Sequence, residues 1–185
     1  VEAFRIAKDA GFKIVAHMMP GLPFSNLEKD FESFGKLFRD GRFKPDMLKI
    51  YPTLVVESAE LYGMYLKGEY KPPSLDEIVD LIARVKAIVP PWVRIMRVQR
   101  DIPTTQIVAG VKAGNLRELA KRRLSEMGKR CRCIRCREVG LAHLPPERLK
   151  EFRMVRREYE ASEGLEIFLS WEDEEEHIAG FLRLR

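Results

Sequence analysis

Helix-like and strand-like stretches take turns along the first hundred residues, and this alternation limits the possible folds more than any other feature of the chain. Phe4, Ala7 and Ala10 recur at helical spacing, Gly11 stops that run, and Phe12 to Met19 reads as a buried strand. Pro20-Gly21-Leu22-Pro23-Phe24-Ser25 is then a loop. Asn26 is a good N-cap for a helix that places Leu27, Phe31, Phe34, Leu37 and Phe38 on one face and ends near Gly41. A second unit follows: strand Met47 to Tyr51, a loop from Pro52-Thr53, and a short helix from Glu57 to Leu66. Ser74 with Glu77 has capping-box form, and Ile78, Leu81, Ile82, Val85 and Ile88 form a helix face that ends at Pro90-Pro91. Val93, Ile95, Met96 and Val98 make a third strand, with Arg94, Arg97 and Arg100 interleaved. Alternating α and β elements predict an α/β fold with a parallel sheet. Three strands cannot close a barrel, so part of the sheet is expected upstream of Val1.

Hydrophobic residues make up 45% of the 185, enough to build a core and to exclude a disordered chain. The 33 Lys and Arg exceed the 28 Asp and Glu, but the net charge of +5 is unevenly spread. Between Arg94 and Arg137 thirteen bases face only Asp101, Glu118 and Glu126. From Glu158 to Arg185 nine acids face two bases, and Glu166 to Trp171 and Ile178 to Leu184 read as two strands around an acidic turn. No stretch approaches the ~20 apolar residues of a membrane span, and Val1-Glu2-Ala3-Phe4-Arg5 lacks a signal-peptide core. A soluble, cytoplasmic protein is expected. A start on Val and an end directly after a strand-like run read as an internal fragment.

Cys131, Cys133 and Cys136 are all the cysteines, packed as C-x-C-x-x-C. Such crowding favours a metal over a disulfide framework, and zinc is the expected ion, with unligated cysteines as the alternative. The flanking Lys129, Arg130, Arg132, Arg135 and Arg137 should lower all three thiol pKa values. His143 is the nearest candidate for a fourth ligand, in competition with a residue from elsewhere in the chain. The basic stretch predicts contact with a polyanion rather than a merely solvated face: Arg94, Arg97 and Arg100 on a strand and its exit, with Lys121, Arg122 and Arg123 on one helix, would bind RNA or DNA through phosphates. Pro20-Gly21-Leu22-Pro23 lies just past the C-terminal end of a parallel strand, where α/β barrels place ligand loops, although a plain tight turn explains it equally well. His17 reads as a core histidine and His177 as a solvated one.

The order of the segments carries more information than any one of them. His17 to Pro23, Leu48 to Val55, Val89 to Pro103, Gly114 to Leu119, Cys131 to Gly140 and Arg157 to Arg185 together resemble the Elongator catalytic-subunit family, above all its archaeal and bacterial single-subunit forms. The resemblance covers essentially the whole chain. It implies the C-terminal part of a radical S-adenosylmethionine TIM-type barrel at 1–100, a basic linker with a cysteine metal site at 101–145, and the start of a GNAT-like acetyltransferase domain at 146–185. The implied activity is a tRNA uridine(34) acetyltransferase that uses acetyl-CoA and a 5′-deoxyadenosyl radical to make 5-carboxymethyluridine at the wobble position. Pro20, Gly21, Leu22 and Pro23 would then border the S-adenosylmethionine pocket, with Lys49 and Tyr51 at the barrel mouth. Arg94, Arg97, Arg100, Lys112, Arg117, Lys121, Arg122 and Arg123 would bind tRNA. The resemblance also implies a [4Fe-4S] cluster whose ligands lie upstream, an acetyl-CoA site mostly downstream, and a homodimer or Elongator-like accessory subunits as partners. Neither half-reaction is expected on this stretch alone. Phe24 departs from the small residue that many radical S-adenosylmethionine enzymes carry after the Gly-Leu-Pro turn. A non-catalytic, zinc-containing RNA-binding module is the alternative reading, but it has no need of three βα units.

Overall fold

A computed structural model describes all 185 residues. The elements run α1 (Glu2–Asp9), β1 (Val15–Met18), α2 (Leu27–Arg39), β2 (Met47–Ile50), β3 (Val55–Val56), α3 (Leu61–Leu66), α4 (Leu75–Ile88), β4 (Arg94–Arg97), β5 (Ile107–Ala109), α5 (Leu116–Glu126), α6 (Ile134–Arg137), α7 (Val139–Ala142), β6 (Arg153–Ala161), β7 (Gly164–Glu172) and β8 (Ile178–Leu184). Mixed α/β content is as expected, and β1, β2 and β4 form the parallel sheet in that order.

The helices begin where side chains can satisfy their free N–H groups. Asn26 accepts from the Lys29 amide at the start of α2, and Ser74 and Glu77 cap α4 reciprocally. Both helices lay their apolar stripes on one face of the sheet. Phe34 and Phe38 from α2 and Ile78, Ile82 and Val85 from α4 close over Leu48, Ile50 and Ile95, all nearly or fully buried. Each such burial contributes roughly 1.5–3 kcal/mol.

Three expectations need correction. Phe12 lies outside β1 and is 68% exposed, because the strand starts only at Val15. The helix expected from Glu57 starts at Leu61, since Val55–Val56 leaves the loop to pair with Ile107–Ala109 as a small antiparallel ribbon. The anticipated two-stranded hairpin is a three-stranded meander, β6-β7-β8. Its first strand, Arg153–Ala161, escaped notice because charged residues occupy most of its positions, while Tyr159 and Ala161 carry its buried face.

The meander is fastened to the parallel sheet through the turn between β6 and β7. Ser162 and Glu163 both hold positive φ, 48° and 65°, where glycine and asparagine are the usual residues. The turn is braced from outside: the Ser162 amide donates to the Gly41 carbonyl at 2.5 Å, and its hydroxyl donates to the Arg42 carbonyl. Nearby, Trp92 stacks on Tyr159 with ring centroids 4.1 Å apart.

Candidate functional site

A parallel strand alternates its side chains between two faces, and here the faces differ in kind. Leu48, Ile50 and Ile95 point into the helix-covered core. Across the other phase His17 is paired in register with Lys49, and Lys49 with Arg97. Three basic side chains therefore stand in one row across three adjacent strands, with His17 and Arg97 exposed and Lys49 half-buried. Tyr51 continues that phase and meets the His17 ring edge-on at 5.6 Å. Sequence reasoning assigned His17 to the core. The phase of Leu48 and Ile50, carried across to β1, was the signal that would have placed it on the open face.

The loop after β1 is held by buried polar groups. Asp30 accepts from the Gly21 amide at 2.7 Å and from the Ser25 hydroxyl at 2.7 Å, Tyr70 donates its hydroxyl to the Gly21 carbonyl at 2.6 Å, and Thr53 binds the Pro20 carbonyl with both its amide and its hydroxyl. Gly21 has φ +83°, and an added Cβ would lie 2.9 Å from the Pro73 ring. Leu22 is half exposed, Pro23 partly buried, and Phe24 takes φ 64° with 92% of its surface in solvent. A bulky residue in the left-handed region is strained, and such strain persists only where the surroundings enforce it. The loop, the Tyr51 end of β2 and the Arg97 end of β4 share the C-terminal edge of the sheet.

The basic stretch separates into two groups. Arg94 pairs with Glu138, Arg97 with Asp101, and Arg123 with Asp76 and Asp80, while Arg117 donates to the Ile95 and Met96 carbonyls. Arg130 and Arg132 both reach Glu176 in the acidic turn, so the acidic end of the chain neutralises part of the basic one. Arg100, Lys112, Lys121 and Arg122 are exposed and have no carboxylate partner.

The three cysteine sulfurs lie within 4.8 Å of one another, at the point where the segment after α5 returns to α4. A tetrahedral zinc site with Zn–S near 2.3 Å needs sulfurs about 3.8 Å apart, so the donor set fits a thiophilic divalent ion. His143 is exposed, has φ 52°, and is not part of that group. His177 instead lines a cleft of about 210 Å³ together with Cys131 and Cys136, its Nδ1 held 2.9 Å from Asp173. The expectation of three lowered thiol pKa values is corrected. Hydrogen bonds from Cys131 and Cys133 hold Cys136 far below the usual thiol range, and the nearby Lys86 ammonium adds to this. Cys131 is pushed up by its bonds to Cys133 and Cys136 and by burial. Cys133 accepts from Cys131, which lowers it, but its bond to Cys136 and its burial leave it raised. Three of the arginines adjacent in sequence are paired with acids: Arg130 and Arg132 with Glu176, and Arg137 with Glu172.

Residues 45–126 match the Radical_SAM C-terminal domain family. Over its full length the chain is 50% identical to Elongator complex protein 3 of Danio rerio and of Homo sapiens, and 50% identical to the tRNA uridine(34) acetyltransferase of Methanocaldococcus infernus. It spans about a third of the length of these curated relatives, 34% of the first two and 35% of the third. A solved structure of the archaeal Methanocaldococcus infernus Elp3 with an N-terminal deletion superposes with a TM-score of 0.93 at 47% identity, over 98% of this chain and 44% of that one.

Proposed function

Because the chain belongs to the family of Elongator complex protein 3 and the archaeal tRNA uridine(34) acetyltransferases, we propose that it is the central part of a tRNA wobble-uridine acyltransferase. In this reading residues 1–100 complete a radical S-adenosylmethionine barrel, 101–145 form the metal-bearing linker, and 146–185 open the GNAT-like domain. The observation that carries it is the row of basic residues His17, Lys49 and Arg97 at the edge where the Pro20 to Pro23 loop and Tyr51 converge. Ligands of α/β barrels collect at that edge.

Each group has a definite task. Asp30, Tyr70 and Thr53 fix the loop backbone, so the Leu22-Pro23 surface presents a preformed wall to a bound nucleoside. Lys49 and His17 offer donors to a carboxylate such as that of S-adenosylmethionine, which when bound would supply radical chemistry together with an iron-sulfur cluster ligated outside these residues. Acetyl-CoA would supply the acyl carbon from a site mostly beyond Arg185, with carboxymethyluridine as product. A homodimer or accessory subunits would complete the assembly. Arg100, Lys112, Lys121 and Arg122 offer free positive charge for tRNA phosphates, whereas Arg94, Arg117 and Arg123 would act by shaping the surface that carries them.

The test is tRNA binding by the full-length protein across a salt series, with wobble-nucleoside analysis by mass spectrometry. Changing Arg100, Lys112, Lys121 and Arg122 to Gln should weaken binding and flatten the dependence of log K on log[salt] by roughly 0.7–0.9 per lost phosphate contact. Unchanged binding would remove tRNA from this face. Persistent absence of carboxymethyluridine with the unaltered enzyme, S-adenosylmethionine and acetyl-CoA would sink the activity itself.

A further inference from the structure

Lys86 sits where no cation is called for. It follows Val85 on α4, whose core-facing residues are apolar, and its side chain is nearly fully buried at 1% exposure. No carboxylate lies within ion-pair reach of it. Its one hydrogen-bond partner is the Cys136 sulfur, 3.5 Å from Nζ and fifty residues away in sequence. An isolated buried ammonium is costly, and the anion that compensates it must be close and equally fixed. The cysteine triad is the group that meets that description.

We infer that Lys86 is the fixed counter-charge of the cysteine site, so that one divalent thiophilic ion, three cysteine sulfurs and the ammonium form a unit without net charge. The inference rests on reading the triad as a metal site. Three thiolates around a divalent ion carry one negative charge, and in a partly buried pocket that charge needs a cation as much as Lys86 needs an anion. Three of the four arginines adjacent in sequence are engaged elsewhere. Arg130 and Arg132 are held by Glu176, and Arg137 by Glu172 and three carbonyls. Arg117, the other cation beside the sulfurs, is anchored to the Ile95 and Met96 carbonyls. With the charge balanced inside the unit, the remaining coordination position suits a neutral ligand, water or imidazole. Lys86 is therefore a positioning residue that acts through Cys136, and it joins the βα part of the chain to the cysteine segment.

Zinc titration and Co²⁺ difference absorption on the full-length protein test this, with K86M and K86R beside the unaltered chain and unfolding followed in chelator and in zinc. K86M keeps the length and apolar stem of the side chain. It should bind zinc about tenfold or more weakly, the usual cost of losing a partner of a metal ligand. Its metal-free stability should be no lower than that of the parent, and K86R should recover most of the affinity. The Co²⁺ bands of the variants, once saturated, should match the parent, because the sulfur ligands are unchanged. Equal zinc affinity in K86M, or an equal loss of stability with and without metal, would overturn the role of Lys86 and leave the metal site standing. A parent protein that takes up neither ion would overturn the metal site itself.

Discussion

Gly21 shows how one residue can hold a whole loop to its shape. Its φ of +83° is shared with Gly11, but an added Cβ at Gly11 meets nothing within 4 Å, whereas at Gly21 it meets Pro73 at 2.9 Å. The pair separates backbone strain from crowding. Gly11→Ala should cost the strain alone, and Gly21→Ala should cost more, together spanning about 1–3 kcal/mol. Denaturant unfolding of the two variants measures the difference, and equal costs would mean that Pro73 simply yields. In sequence, Gly21 was read as an element of either a ligand loop or an ordinary turn. What fixes its conformation is Asp30, nine residues on, which reads as one more polar position in an amphipathic helix yet is buried and bonded to the Gly21 amide.

Elements whose pattern repeats were legible, and those set by their partners were not. α2 and α4 announce themselves through caps and apolar spacing. β3 is two residues long and exists because β5 lies opposite. β6 reads as charge, yet its Arg157 supports a buried, multiply bonded carboxylate on β7. Glu172 on β7, 1% exposed, accepts both Arg157 guanidinium nitrogens at 2.7 and 2.8 Å, the Ser170 hydroxyl at 2.6 Å and Arg137 at 3.0 Å. Burial works to raise its pKa, but the bonds from Arg157 and Ser170 and the Arg137 charge prevail, leaving it below its ordinary 4.5. Asp173 is lowered too, its burial outweighed by the bonds from His177. A carboxyl whose folded pKa is depressed lends stability that is complete above its unfolded value and lost as pH falls through the folded one. The meander should therefore loosen as pH drops from about 4.5 downward. Glu172→Gln should cost roughly 3–5 kcal/mol at neutral pH, because Arg137 and Arg157 lose their shared anion. It should also flatten the acid limb of a stability–pH curve without abolishing it, since Asp173 remains. A limb as steep as the parent's would assign the acid response elsewhere.

Across the whole molecule, the parallel sheet and the meander meet at charges that neither could bury alone. Lys8 of α1 lies 3.4 Å from Asp46 and 3.0 Å from Glu166 of β7, and Arg183 of β8 reaches Asp46 at 3.0 Å; all four side chains are at most 7% exposed. Asp46 also accepts the Ile14 amide at 2.8 Å, fixing the entry to β1, while Arg183 binds the Trp92 carbonyl ahead of β4. Sequence spacing could not reveal a cluster assembled from residues 8, 46, 166 and 183, each unremarkable among its neighbours. Its members are dispersed so that removing one strands the rest, the condition under which a buried pair is costly to break. Asp46→Asn preserves shape and one acceptor but leaves Arg183 without a carboxylate, so a loss of roughly 3–5 kcal/mol is expected in the full-length protein. That loss falls on the contact between the two parts, whose own cores remain intact. The variant should accordingly show proteolytic sensitivity or hydrogen exchange rising together at β7, β8 and α1, ahead of the core built on Ile82 and Ile95. Uniform destabilisation of both parts would mean that they unfold as one even without the shared charges, and that the Trp92–Tyr159 stack and the braced Ser162 turn suffice to join them.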